Sequence, residues 1–138
     1  MRAVLVDWLM EISDEYVINP NTLFLTIHLI DQVLTIMPIK KLQFQLLGCA
    51  CLVIASKMEE IQPPFMSNLV EVAANCFTFE NLVQMEAIIL HKLNFNVNLP
   101  TRYYFLDRLL FASADTTKRE IACAYFLLEL TLLVILLL

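Results

Sequence analysis

The residue types that most often carry enzyme chemistry are few in this sequence, and their spacing does not suit it. His28 and His91 stand in apolar helical segments and lack the H-E-x-x-H spacing of a zinc site. Asp7 and Glu11 are four residues apart, which places both on one solvated helix face instead of on two sides of a substrate cleft. No nucleophile elbow or Cys–His signature occurs. We therefore expect a protein that is not an enzyme and uses no cofactor.

Cysteine chemistry is the second possibility. Four cysteines lie among apolar neighbours, at Cys49, Cys51, Cys76 and Cys123. Residues two apart on a helix point about 200° away from each other, so Cys49 and Cys51 are a poor metal pair, and no histidine pair accompanies them. We interpret Cys49 and Cys51 as buried small residues and expect no metal. Free thiols and the lack of a secretory signal pattern indicate a reducing compartment, cytosol or nucleus.

Composition excludes several further classes of protein. The 138 residues allow one compact domain, or one domain and part of another. A hydrophobic fraction of 59% rules out disorder. The single glycine, Gly48, excludes the glycine-rich loops that bind dinucleotides or nucleoside triphosphates. The net charge of -5 argues against nucleic acid as a partner, because that affinity needs clustered Lys and Arg.

Apolar residues recur at helical spacing along almost the whole chain, which predicts an all-α fold. Asn19 before Pro20, Thr78 before Glu80, and the Thr117/Glu120 capping box mark helix starts. Five helices, a linker near 96–100 and two helices of a further unit are expected, at about 1–17, 20–36, 42–58, 66–75, 78–93, 101–111 and 117 to the end. The third helix has almost no polar residue and belongs at the centre of the bundle.

The last apolar segment, 121–138, has two possible interpretations. It is interrupted only by Glu129 and Thr131, and as one helix it would be about 27 Å long. A membrane tail is conceivable, but Glu129 near its middle is costly in a bilayer and no charged anchor follows it. A helix of the bundle is the favoured interpretation.

The first helix carries an unusually wide apolar face. Its polar wedge consists of Asp7, Glu11, Asp14 and Glu15. One apolar stripe beside this wedge consists of Met1, Val4, Leu5 and Trp8, and the opposite stripe consists of Ala3, Val6, Leu9 and Met10. The opposite stripe is interpreted as core. The stripe beside the wedge is either core or, because Glu11 adjoins Trp8, a groove for a peptide with a basic residue followed by an apolar anchor.

Two charges stand isolated among apolar residues. Lys57 lies at the end of the third helix, where it can interact with the helix dipole. Glu86 lies in the middle of the fifth helix and would ordinarily be a surface charge. Together they could instead bond the main chain or the charges of a partner at the centre of an apolar interface.

Three motifs in register resemble the cyclin box of mitotic A- and B-type cyclins. They are M-R-A-V-L-V-D-W-L at 1–9, A-S-K-M-E-E at 55–60 with Pro63-Pro64, and Met85-Glu86 before Leu93-Asn94-Phe95. The similarity runs from Met1 to about Thr131. The resemblance implies a fold of two five-helix boxes, so that 1–98 form the N-terminal box and 99–138 part of the second.

The resemblance also implies a regulatory subunit, found in nucleus and cytoplasm, that binds and activates a cyclin-dependent Ser/Thr kinase. Its kinase contacts fall on the charged pair Lys57 and Glu86 and on the apolar residues Ile54, Met58, Leu90 and Phe95. A second surface of the family binds Arg-x-Leu motifs of substrates or inhibitors. It falls on Met1, Val4, Leu5, Trp8, Glu11 and Gln45.

Departures from the family pattern leave alternatives open. Met58 stands where these cyclins usually have Phe, which should loosen that contact. The chain begins inside the first motif and the second box stops after two helices, so we expect a fragment or truncated product with unpartnered apolar faces. A non-activating or dominant-negative cyclin-like chain is therefore one alternative. A cyclin-fold transcription adaptor is another, although it would need a basic surface for DNA.

Overall fold

The computed structural model describes residues 1–134, and these residues are helical almost throughout. The α-helices are α1 Arg2–Glu15, α2 Pro20–Ile36, α3 Phe44–Glu59, α4 Met66–Val72, α5 Phe79–Lys92, α6 Arg102–Ala112 and α7 Lys118–Leu130. Two 3₁₀ turns, Lys41–Gln43 and Thr131–Leu133, precede α3 and follow α7. The described range contains no strand, which confirms the all-α prediction. The end of the predicted last segment, 135–138, lies outside the described residues.

The helix starts that the sequence marks at Asn19, Thr78 and Thr117 agree with the structure, and each of them has a side-chain cap. The Asn19 side chain accepts a hydrogen bond of 2.9 Å from the backbone N–H of Asn21. Thr117 and Glu120 form the expected capping box, with the Thr117 N–H donating to Glu120 Oε2 at 2.7 Å. The hydrogen bonds from Thr117 lower the pKa of the Glu120 carboxyl below its ordinary value. These caps satisfy backbone N–H groups that have no partner inside the helix.

Three helix ends are Schellman motifs without glycine, and two of them, in α1 and α4, lie two and three residues before the ends that the apolar periodicity predicts. In α1 the Ile18 N–H donates to the Ser13 carbonyl at 2.9 Å and the Val17 N–H to the Asp14 carbonyl at 3.3 Å. The left-handed residue of the motif is Val17 in α1, Ala74 in α4 and Asn94 in α5, with φ of 52°, 53° and 52°. Glycine usually occupies this position, and without it the sequence carries no glycine signal for these helix ends.

Replacement of Ala74 by Gly is expected to stabilise the fold by about 1 kcal/mol, because glycine adopts a positive φ without a clash between Cβ and the next carbonyl. Urea denaturation followed by circular dichroism measures the change. Ala87→Gly is the matched control, since Ala87 is exposed inside α5, and there the same substitution should destabilise by about 1 kcal/mol. A destabilising effect of Ala74→Gly would contradict this account of the helix end.

α3 lies at the centre of the bundle, as predicted. Every residue from Leu47 to Ser56 is buried, and both α2 and α5 pack against the helix. Together with its 3₁₀ turn, the helix Lys41–Glu59 is long and apolar enough to cross a membrane, but 61% of its most apolar stretch is buried inside the fold. A buried core helix passes the same test, so this is weak evidence for a membrane.

Gly48 serves helix packing and not a turn. A Cβ atom at this position would lie 2.9 Å from Leu5 Cδ1 and 3.5 Å from Leu9 Cδ1. The missing side chain lets α1 approach α3 closely, and Leu5 fills the space. The packing of Leu5 in the core therefore depends on the single glycine of the chain.

An ion pair that the sequence did not reveal joins α1, α2 and the turn after α7. Arg2 Nε and Nη2 donate to the two carboxylate oxygens of Asp31 at 2.6 and 2.8 Å, and Arg2 Nη1 donates to the Leu132 carbonyl at 2.7 Å. The Arg2 side chain is 10% exposed and that of Asp31 is 38% exposed. A bidentate pair of this kind is strong and directional.

α6 and α7 form a pair that rests on α2. Tyr103 stacks on Tyr125 with ring centroids 5.3 Å apart and also touches Phe24 of α2. The Tyr125 hydroxyl donates to Asp107 at 2.8 Å. Partial burial, followed by this hydrogen bond, raises the pKa of Tyr125 to about 12.

This helix pair exposes many large apolar side chains. Of the described residues, none inside α6 or α7 is buried. Their exposed large apolar side chains are Tyr104, Phe105, Leu109, Phe111, Phe126, Leu127 and Leu130. The described part of 121–138 is not one continuous helix, because α7 ends at Leu130 and Leu132 is buried.

Candidate functional site

Lys57 and Glu86 are not isolated charges. Lys57 Nζ and Glu86 Oε1 lie 2.6 Å apart and form an ion pair, although 29 residues separate them in sequence. The Lys57 side chain is 52% exposed and that of Glu86 is 13% exposed. The prediction of two separate charges is therefore wrong, because α3 and α5 pack side by side and bring the two residues together.

Exposed apolar side chains are found among the other predicted kinase contacts. Met58, next to Lys57 at the end of α3, is exposed, as is Phe95 just past the end of α5. Leu90 lies one turn after Glu86 and is half-buried. Ile54 is buried in the core, in contrast to the prediction of an interface residue, because the whole middle of α3 is enclosed by its neighbours.

The backbone at Phe95 is strained. Its φ is 57°, and its N–H donates to the Leu90 carbonyl at 2.9 Å to close the Schellman motif of α5. A bulky aromatic residue rarely adopts a positive φ. His91 packs edge-on against the ring, with ring centroids 5.4 Å apart. This conformation keeps a large apolar side chain at the surface beside α5, and such strain is common at functional sites.

Two further residues extend this surface, and the sequence interpretation missed both. Phe79 and Val83 are exposed and precede Glu86 by seven and three residues on α5. That spacing places Phe79, Val83, Glu86 and Leu90 on one helical stripe. The same spacing rule, applied backwards from Glu86, would have found them. We call Lys57, Met58, Phe79, Val83, Glu86, Leu90 and Phe95 the α3/α5 face.

The predicted patch on α1 is partly at the surface. Met1, Val4 and Glu11 are exposed, while Trp8 and, on α3, Gln45 are half-buried. Leu5 is buried against Gly48 and does not belong to an exposed surface, so its placement in the exposed stripe is wrong. The opposite stripe also needs one correction. Val6 and Leu9 are core residues as predicted and Met10 is half-buried, but Ala3 is exposed.

The thiols divide into two groups. Cys49 and Cys51 are buried as predicted, and burial raises the pKa of Cys49 to about 12 and that of Cys51 further. Cys76 and Cys123 are exposed. Cys76 follows the end of α4 and Cys123 lies on the outer face of α7. Within residues 1–134 no group of three His, Cys, Asp or Glu side chains could hold a metal.

The match to a protein family and the matches to individual curated proteins agree with each other. The family described as "Cyclin, N-terminal domain" matches residues 1–98. The chain is 42% identical over 132 residues to Cyclin-B2-2 of Arabidopsis thaliana, which covers 96% of this chain and 30% of that protein. It is 40% identical over 134 residues to G2/mitotic-specific cyclin-A of Hydra viridissima, covering 96% and 32%. The chain thus spans about a third of the length of these curated relatives.

Proposed function

Because the chain belongs to the cyclin family, whose members are regulatory proteins and not enzymes, we propose that it binds and activates a cyclin-dependent Ser/Thr kinase in the mitotic cell cycle. One observation carries the proposal: an ion pair lies within a surface of exposed apolar side chains, at the positions where the resemblance places the kinase contacts. Nucleus and cytoplasm are the proposed locations, without nucleic acid as a partner.

The α3/α5 face can supply both parts of a helix-binding interface. Met58, Phe79 and Phe95 provide exposed apolar area of the kind that anchors a partner helix. An ammonium group has three donors and a carboxylate about four acceptor positions, and the Lys57–Glu86 bond uses one of each. Both groups keep the capacity to bond carbonyl and N–H groups of a partner backbone. The ion pair therefore fixes the orientation of the helix that the apolar residues hold.

Activation follows from orienting one helix of the kinase. Phosphoryl transfer in kinases needs an ion pair between a strand lysine and a glutamate on a mobile helix, and inactive kinases hold that helix out of place. A partner that binds the helix in one orientation shifts the kinase toward the assembled state. The cyclin chain needs no catalytic group of its own for this role.

The purified chain should bind at least one member of a panel of cyclin-dependent kinases and raise its phosphorylation of a histone-type peptide. Biolayer interferometry measures binding, and incorporation of labelled phosphate measures activity. Lys92→Ala is a suitable control, because Lys92 is exposed on α5 outside the α3/α5 face. If no kinase of the panel binds or is activated, the proposal fails.

We further propose that Met1, Val4, Trp8, Glu11 and Gln45 bind Arg-x-Leu segments of substrates or inhibitors. Exposed Met1 and Val4 lie beside the half-buried Trp8 ring, and exposed Glu11 is three residues further along α1. An apolar surface next to a carboxylate suits a leucine and an arginine that are close in sequence. Leu5 lies beneath this surface as packing.

Trp8→Ala is expected to weaken binding of an Arg-x-Leu peptide by about 2 kcal/mol or more, since a central tryptophan is a typical binding hot spot. Fluorescence anisotropy with a labelled peptide measures the change, and the same peptide with alanine for arginine is the control. Because Trp8 packs partly against the core, Val4→Asp at an exposed position provides a variant that should fold normally. Unchanged affinity in both variants would assign the stripe to packing alone.

A chain that binds the kinase without activating it is the second candidate. It is favoured by α6 and α7, whose described residues include no buried side chain and so offer little rigid support. The same two assays separate the candidates, because binding without added phosphorylation indicates the non-activating chain. A cyclin-fold transcription adaptor has no such support, given the net charge of -5.

A further inference from the structure

A groove of about 800 Å³ opens between the end of α1 and the segment that joins α3 to α4. Tyr16, Val17 and Ile18 form one side, and residues 60–66 with Asn68 form the other. Trp8 lies two turns earlier on α1, about 12 Å along the helix axis. The groove is therefore separate from the proposed Arg-x-Leu surface, and it begins three residues past Lys57.

Three lining side chains are apolar and almost fully solvated. Val17 is 87% exposed, Ile61 is 100% exposed and Phe65 is 76% exposed. They come from two different segments and line one concave surface. Single exposed apolar residues are ordinary on proteins, but three exposed apolar side chains along one groove offer apolar area that a partner can cover.

Val17 is held in a conformation that its side chain disfavours. Its φ of 52° is rare for a β-branched residue, and it occupies the Schellman position where glycine would fit without strain. The side chain makes little core contact that would offset this cost, since it points into solvent. Backbone strain of this kind occurs at binding sites as well as at helix ends.

The electrostatic surroundings of the groove are negative. Among its lining residues Glu60 carries a charge, and none of them is Lys, Arg or His. Glu60 Oε1 accepts bonds from the Asn19 N–H and the Thr22 hydroxyl, each 2.7 Å long, which fixes the carboxylate in place. The pKa of Tyr16 is raised, first by partial burial and then by the nearby carboxylates of Glu15 and Glu71. One carboxylate thus lines the groove, and two more lie near Tyr16 at its edge.

We propose that this groove binds an extended basic peptide segment of a regulatory protein. One apolar side chain of the peptide packs between Val17, Ile61 and Phe65, and an adjacent Arg or Lys faces Glu60 and the carboxylates near Tyr16. Charge complementarity identifies this occupant, because an acidic or neutral polar segment would gain nothing from the rim. The proposal does not depend on kinase binding or on the Trp8 surface.

The probe is a set of fluorescein-labelled heptapeptides, each with two basic residues beside Phe, Leu or Ile and none with the Arg-x-Leu spacing. A matched set carries Glu at the basic positions. Anisotropy with the full chain should show micromolar binding of basic members and no binding of the acidic set. Failure of every basic member to bind would overturn the proposal.

Two variants assign the bound peptide to the groove. Ile61→Lys, at a fully exposed position, should weaken binding at least tenfold, while Ile36→Lys at the exposed end of α2 should leave it unchanged. Val17→Gly should raise the unfolding temperature, because it removes the strain, and should still weaken the peptide about fivefold. A structural role alone would not couple higher stability to weaker binding. Equal affinity in Ile61→Lys and wild type would overturn the proposal.

The last experiment tests whether the kinase and the peptide compete for the chain. The peptide should bind the preformed kinase complex as well as the free chain, and Ile61→Lys should not change kinase affinity. If the kinase displaces the peptide and Ile61→Lys weakens kinase binding, the groove belongs to the kinase interface and the proposal is wrong. Loss of the proposed kinase function would leave the peptide result unaffected, so the two failures can be told apart.

Discussion

Asp31→Ala is expected to lower the free energy of unfolding by about 3 kcal/mol, because it leaves the nearly buried Arg2 guanidinium without its carboxylate. Breaking a buried ion pair costs about 3–5 kcal/mol, and the partial exposure of Asp31 places this pair at the lower end. Arg2 also donates to the Leu132 carbonyl, so the loss extends to the contact between α1 and the turn after α7. Since domains are stable by about 5–15 kcal/mol, this single change removes a large fraction.

Urea denaturation followed by circular dichroism measures this effect, with Asp7→Ala as the matched control. Asp7 is an exposed carboxylate on α1, and its removal should change stability by less than about 0.5 kcal/mol. Equal stability of Asp31→Ala and Asp7→Ala would contradict the role assigned to the Arg2–Asp31 pair.

Glu86→Ala is expected to weaken kinase affinity by about 100-fold or more while changing the stability of the free chain little. In the free chain the Lys57–Glu86 pair is half exposed at Lys57, and such pairs contribute about 0–1 kcal/mol. In the complex of the Glu86→Ala variant, the kinase would cover Lys57 and remove its water while Lys57 has no carboxylate partner. Removing one partner of such a buried charge pair costs about 2–5 kcal/mol of binding free energy. Isothermal titration calorimetry and thermal unfolding of the same variant measure the two effects.

Glu80→Ala provides the control for this prediction. Glu80 is exposed in the first turn of α5, outside the α3/α5 face. Glu80→Ala therefore changes the net charge by the same amount as Glu86→Ala but leaves the Lys57–Glu86 ion pair intact. Kinase affinity of Glu80→Ala should stay within about twofold of wild type. Similar losses for Glu80→Ala and Glu86→Ala would show that net charge, and not the placed pair, governs binding.

The capped helix starts were predictable from sequence, and the ends of α1 and α4 were not. Asn19 and Thr117 predict helix starts, because a side-chain oxygen just before an apolar segment can cap the first turn of a helix. The ends at Val17 and Ala74 need a left-handed residue, and the usual marker, glycine, is missing from both. The chain has one glycine, and helix packing against Leu5 accounts for it.

For the candidate site, sequence identified the important residues better than their arrangement. A helical wheel places a side chain in a direction but does not say which neighbour fills that direction. Leu5 and Ile54 are buried for this reason, although the wheel or the resemblance placed them at surfaces. Pairs such as Lys57 with Glu86 join residues far apart in sequence, and only the packing of α3 on α5 brings them together.

The most direct test of the central claim exchanges the two charges, in the double variant Lys57→Glu with Glu86→Lys. The exchange rebuilds the ion pair inside the chain, so the unfolding temperature should stay within about 2 °C of wild type. The kinase groups that bond Lys57 and Glu86 then face a charge of the opposite sign at each position. Kinase affinity should therefore fall by about 100-fold, and activation should be lost. Wild-type affinity and activation in a stably folded double variant would contradict the account.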